Sequence, residues 1–204
     1  MSRPRAKAYI ALFLLTAFLS ACGGKNMQGS YQARYDLRDT LNREQLTDAN
    51  LQLESPVYAT YQLRLEKDKT FTLELDAGAL RDSVAGALRA DADSIVRQLL
   101  THSGIQESSY DWVVEASGFD TFEAFRDDAV EELVGQLDMN MMQQFSDEAH
   151  REGAYKIKKD ILTLQQGEGD GAVYQEGTVT EDGKIVLDAL LRGKTVELTF
   201  SREE

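Results

Sequence analysis

The 204-residue chain has one cysteine, two histidines and no apolar run of the roughly 20 residues that a membrane-spanning helix needs. A lone cysteine excludes an intrachain disulfide, so side-chain packing alone must hold the fold. The histidines, His102 and His150, lie far apart in sequence, and neither has HxxxH or HxxE spacing around it. No Gly-x-Ser-x-Gly elbow occurs, and neither histidine has a serine in a triad context, so no catalytic residue is assigned. Basic residues are scarce, with 22 Lys and Arg against 35 Asp and Glu. An acidic surface of this kind excludes nucleic acid and disfavours anionic lipid as a partner. No short period recurs, which excludes a solenoid.

The basic charge at the N-terminus is grouped. Arg3, Arg5 and Lys7 stand without an acid and precede an apolar run of about ten residues from Tyr9 to Phe18, the form of an export signal. This run is too short to stay in the membrane. It is followed by Leu19-Ser20-Ala21-Cys22, which resembles the lipobox of bacterial lipoproteins. The resemblance implies a signal peptide over residues 1–21, cleaved before Cys22, and makes Cys22 the site of lipid attachment. Its thiol would take a diacylglycerol as a thioether, and its new amino group an acyl chain such as palmitate. At about 0.8 kcal/mol per buried methylene one chain anchors only marginally, whereas two or three together hold a protein on a membrane. Gly23 stands where enteric lipoproteins retained in the inner membrane carry Asp. This implies a lipid-anchored protein of the cell envelope, on the outer membrane and facing the periplasm.

Residues 22–28 then form a lipidated tether, and residues 29–204 a single domain. The mature chain of about 183 residues is long enough for one core. Losing the three basic residues of the signal takes the formal charge from −13 to −16.

A period of two marks the first strand at Gly29–Asp36, with Tyr31, Ala33 and Tyr35 alternating against polar neighbours. Residues 37–53 are polar with spaced leucines and predict a helical turn near 40–49. Val57 to Leu65 and Phe71 to Leu75 alternate cleanly on either side of a Lys67-Asp68-Lys69 turn. From Ala77 the period lengthens. Leu80, Val84, Leu88, Ile95 and Leu99 predict one helix to about His102, with Gly104 as its stop. Residues 105–118 read as a connector. A second helix starts at Asp120 or Thr121, where Asp120 and Glu123 have capping-box spacing, and runs to about Gly153 with a bend near 138–140. Period two then returns. Strands are expected at Tyr155–Lys158, Ile161–Leu164, Ala172–Thr180, Lys184–Asp188 and Thr195–Phe200. Asp182-Gly183 reads as a type I′ hairpin turn.

This is an α+β pattern: about eight strands in an antiparallel β-meander, with two helices inserted over about 78–152 between the third and fourth. Eight such strands can close into a barrel, which removes exposed edges. Gly153-Ala154-Tyr155-Lys156-Ile157, Asp160-Ile161-Leu162-Thr163-Leu164 and Glu176-Gly177-Thr178-Val179 with Asp182-Gly183-Lys184-Ile185 resemble the hairpins of lipocalin-like envelope lipoproteins. That resemblance covers mainly 153–201 and implies an eight-stranded barrel holding a small hydrophobic ligand. Gly29-Ser30-Tyr31 stands where lipocalins carry Gly-x-Trp.

The remaining candidates read mostly as structure. His102 and His150, with Glu107, Asp147 or Glu148, could ligate a metal if their helices met end to end. A cation at each helix C-terminus is the simpler reading, and no metal or cofactor is assigned. Asp91 and Asp93 point apart on a helix. Asp127, Asp128, Glu131 and Glu132 read as a solvated face. Gly167–Gly171 lacks the ligand spacing of a calcium loop. Met139, Met141, Met142 and Phe145 read as core, and Trp112 with Tyr110 as a plug between helices and sheet. The alternative to a ligand-holding barrel is a filled one whose helices dock an envelope protein through Trp112 or the methionines.

Overall fold

The computed structural model describes residues 26–44, 46, 51–191 and 194–203. The signal peptide, Cys22 and most of the tether lie outside these residues. Strands β1 (Gly29–Asp36), β2 (Tyr58–Leu65), β3 (Thr70–Leu75), β4 (Arg151–Lys158), β5 (Ile161–Gln166), β6 (Val173–Val179), β7 (Ile185–Leu191) and β8 (Lys194–Arg202) follow one another around a closed barrel. Each pairs antiparallel with the next, and β8 returns to β1 through Tyr31–Arg202 and Gln32–Ser201. The expected eight-stranded antiparallel barrel is the fold observed.

Alternation decides the interior. Ala59, Tyr61, Leu63 and Leu65 of β2 are buried, as are Phe71, Leu73 and Leu75 of β3 and Leu198 and Phe200 of β8, while their neighbours face outward. One end of the barrel is plugged. Tyr31, Phe71, Tyr155 and Phe200 fill it, and Met27, placed in the tether by its position in sequence, is 6% exposed against them. The Tyr31 hydroxyl donates to the Met27 carbonyl at 2.9 Å, and the Tyr155 hydroxyl to the Glu66 carbonyl at 2.9 Å.

Two of the three hairpins at this plugged end share one turn. Glu66 N–H bonds to the Thr70 carbonyl around Lys67-Asp68-Lys69, and Thr180 N–H to the Lys184 carbonyl around Glu181-Asp182-Gly183. Lys69 (φ 72°) and Gly183 (φ 82°) take the left-handed third position, and Asp182 does not. The Asp182-Gly183 turn is therefore a three-residue loop of type I plus a left-handed residue, not type I′.

Five helices, rather than two, separate β3 from β4: α2 (Ala77–Ala90), α3 (Ala92–His102), α4 (Tyr110–Ala116), α5 (Phe122–Gly135) and α6 (Met139–Ala149). A sixth, α1 (Arg38–Glu44), occupies part of the turn region expected at 40–49, of which 45 and 47–50 lie outside the described residues. The first long helix breaks at Asp91, and the second at Gln136–Asp138. There Asp138 caps α6 by accepting from Asn140 N–H at 2.8 Å. Thr121, not Asp120, caps α5, accepting from Ala124 N–H at 3.2 Å. The presumed connector contains α4, whose inner side carries Tyr110 and Val114.

Two hydroxyls fasten this layer to the barrel. Tyr58 N–H donates to the Ser83 hydroxyl of α2 at 2.8 Å, and the Ser146 hydroxyl of α6 donates to the Leu75 carbonyl at 2.6 Å. Helix α6 thus lies against β3 and β7, across the end opposite the plug. The Arg89–Glu131 pair between α2 and α5, at 2.6 and 2.9 Å, is solvent-exposed and adds little. The helices are held mainly by Leu80, Val84, Ile95, Val96, Val130 and Val134, all buried.

Candidate functional site

The end of the barrel beneath α6 is not filled. A cavity of about 380 Å³ lies there, lined by Tyr61 and Leu73, by Ala149 and Arg151 where α6 passes into β4, and by Gln166, Val173, Gln175, Asp188 and Ala189 on β5 to β7. The strand register accounts for the lining. Arg151 pairs with Leu73, so it falls on the inward phase of β4 shared by Gly153 and Tyr155. Gln166 continues the inward phase of Leu162 and Leu164, and Gln175 that of Gly177 and Val179. The inward positions that carry leucine and aromatics deep in the barrel therefore carry arginine and glutamine at the mouth.

The wall is also split here. Strands β7 and β8 pair over seven residues, from Ile185–Phe200 to Leu191–Lys194, whereas β6 and β7 pair over only three, Gly177–Val179 with Ile185–Leu187. Above Gly177 the two strands diverge. The Gln175 side-chain amide spans the gap and donates to the Asp188 carbonyl. Val173 stands at the open rim, 60% exposed.

Two polar groups of the site stand out. Arg151 donates to the carbonyls of Glu148 (2.8 Å) and His150 (2.6 Å), and no carboxylate lies within ion-pairing distance among the described residues. Tyr61 is 1% exposed, and its hydroxyl has no hydrogen-bond partner among the described residues. Burial pushes its phenol up to about 12, with nearby Tyr35 adding to the shift. The unfolded chain gives up this proton near the ordinary value of 10, so stability is intact below pH 10 and falls as pH rises toward 12. Tyr31 and Tyr155, also raised by burial, act in the same direction. The denaturation midpoint is expected to drop above pH 10, and to drop less in Tyr61→Phe. Identical alkaline profiles for the two proteins would show that this phenol is not buried.

The other sequence candidates fall elsewhere. His102 ends α3 in the helical layer, and His150 sits at the barrel rim, 3.8 Å from Glu152. No described group of three His, Cys, Asp or Glu side chains is placed to hold a metal ion. Asp93 pairs with Arg97 at 2.7 Å, Asp127 with Arg126 at 2.7 Å, and Glu131 with Arg89. Asp91, expected on a helix, lies at the break between α2 and α3 and is a buried structural carboxylate. Residues Gly169–Gly171 form a short helical turn between β5 and β6. Met142 and Phe145 are core as expected, Met139 is exposed, and the Met141 side chain lies outside those described. Trp112 is not the plug between helices and sheet. It is 70% exposed, whereas Tyr110 is buried and stacks on Phe122 at 5.9 Å. Among the described residues no helix is long and apolar enough to cross a membrane.

Tyr61, Arg151, Gln166 and Gln175 were not singled out from the sequence. The usable signal was polar residues on the inward phase of three strands, all at the same end. No family profile, curated protein or solved structure matches the chain.

Proposed function

We propose that the chain is a lipid-anchored lipoprotein of the cell envelope that binds a small hydrophobic molecule in the mouth of its barrel. The supporting observation is the cavity of about 380 Å³, with apolar walls from Leu73, Ala149, Val173 and Ala189 and a few inward polar groups. Ligand sites are concave, mostly apolar and about 300–1,000 Å³ in volume, with a small number of placed polar side chains. The lipobox-like Leu19–Cys22 supports the anchor, and Gly23 the outer membrane.

Native mass spectrometry of the full-length chain, extracted from bacterial membranes, tests both parts. The expected result is a diacylglycerol-modified, signal-cleaved N-terminal peptide at Cys22, together with a lipid-like mass released on denaturation. An unmodified Cys22 would refute the anchor, and a chain carrying no releasable molecule would refute the carrier.

One observation favours a second reading, in which the helical layer docks an envelope protein. Trp112 presents most of its surface to solvent from α4, and exposed tryptophans are enriched at interface hot spots. On that reading Trp112→Ala loses a cross-linked partner that the wild type retains, with folding unchanged.

A further inference from the structure

We infer that the Tyr61 hydroxyl holds the polar head of the bound molecule, which is an amphiphile presenting an acceptor oxygen of the carboxylate or hydroxyl type. This rests on the ligand-binding reading above and says which kind of molecule the cavity takes.

The barrel contains its own control. Three tyrosines point into it with their hydroxyls withdrawn from solvent. Tyr31 and Tyr155, at the plugged end, each donate to a backbone carbonyl at 2.9 Å. Tyr61, at the mouth, has no partner among the described residues, although it is the equal of Tyr31 in burial. Buried polar groups are nearly always satisfied, and leaving one without a partner forfeits its full solvation. Of the three tyrosines, the one whose hydroxyl lacks an acceptor among the described residues is also the one that lines the cavity. Its acceptor is therefore sought among the cavity's contents.

The neighbouring chemistry narrows the choice. A phenol held neutral across the physiological range donates its proton, so the ligand atom opposite it is an acceptor. Arg151, on the inward face of β4, lines the same space; Glu176 and Asp188 also line it, on the outward phases of β6 and β7, and Arg151 forms no ion pair with either. Arg151 is the one cation among these described lining residues, and on its side of the cavity it favours an acceptor oxygen, dipolar or anionic. Leu73, Ala149 and Ala189 provide the apolar contact for the rest of the molecule.

The test uses the lipidated chain in nanodiscs with octanoate and octan-1-ol as probes. Wild type and Tyr61→Phe are compared in identical discs, so that partitioning into the bilayer cancels. Tyr61→Phe is expected to bind both probes about two- to tenfold more weakly, the range for one net hydrogen bond. Its thermal midpoint should match or exceed that of the wild type, because the substitution removes an orphaned group. Arg151→Gln should weaken octanoate more than octan-1-ol. Undiminished binding by Tyr61→Phe would overturn the head-group contact while leaving the carrier reading intact. A lowered midpoint in Tyr61→Phe would assign the hydroxyl to the fold and overturn it likewise. Failure of the wild type to bind either probe above the level of empty discs would remove both.

Discussion

Asp91→Ala is expected to destabilise the domain by about 3–5 kcal/mol, the range for stranding the partners of a buried charge. Asp91 is 8% exposed at the junction of α2 and α3. One carboxylate oxygen accepts from the backbone N–H groups of Glu54 (2.7 Å) and Ser55 (2.8 Å), and the other from the Ser55 hydroxyl at 2.6 Å. It thereby ties the segment leading into β2 to the helical layer at the α2–α3 junction, where its own backbone still bonds to Ala87 and Ile95. Alanine leaves two part-buried N–H groups without an acceptor. Asparagine retains most of the geometry, because its carbonyl can face both N–H groups while its amide faces the hydroxyl. It should cost only about 1 kcal/mol, the difference between charged and neutral hydrogen bonds. For a chain of this length the alanine variant should lower the melting temperature by roughly 6–20 °C, read by thermal denaturation. A loss below about 1 kcal/mol in Asp91→Ala would mean that the junction does not depend on this carboxylate.

A comparable loss is expected from adding one methyl group at Gly153. A Cβ there would lie 2.0 Å from the carbonyl oxygen of Gln165 and 3.0 Å from its carbon. Both are backbone atoms of β5, so no rotamer change relieves the overlap. Strand β4 would have to move away from β5, carrying Arg151 and Tyr155 with it. Overpacking usually costs 1–3 kcal/mol when side chains can shift, and Gly153→Ala should cost about 3 kcal/mol or more. Gly86, inside α2, provides the control: a Cβ there meets nothing within 4 Å. Gly86→Ala should stabilise by roughly 0.5–1 kcal/mol, from helix propensity alone. Denaturant midpoints that move together for the two alanines would refute the steric account of Gly153.

These two residues mark where the sequence was silent. The strands were legible because inward leucines and aromatics recur at period two with tight turns between them, and the register followed. The helical insertion was legible as a change of period. Its division was not, because Asp91 and Asp138 look like ordinary polar positions on an amphipathic stripe. What converts Asp91 into a junction is a segment some 36 residues earlier that needs an acceptor, and this is visible only in three dimensions. The mouth was hidden for a similar reason. Arg151, Gln166 and Gln175 look unremarkable on their separate strands. They define a site only once closure of the barrel brings their ends together beneath α6. Trp112 misled because a lone tryptophan between helices suggests core, whereas Tyr110 two residues earlier takes the inward position.

The plug at the other end bears on the direction of traffic. Cys22 lies four residues before Asn26, and Met27 is already locked into the barrel floor. Fully extended, that length of chain spans at most about 14 Å. With the proposed acyl chains on Cys22, the floor is therefore moored close to the bilayer. The eight residues of β2, tilted as barrel strands are, lift the mouth roughly 20 Å further out. Under that proposal an amphiphile in the anchoring leaflet would have no lateral path into the cavity, since floor and opening are at opposite poles. On the proposed function, loading and unloading would take place on the side facing away from the anchor, with a donor or acceptor approaching from across the aqueous space.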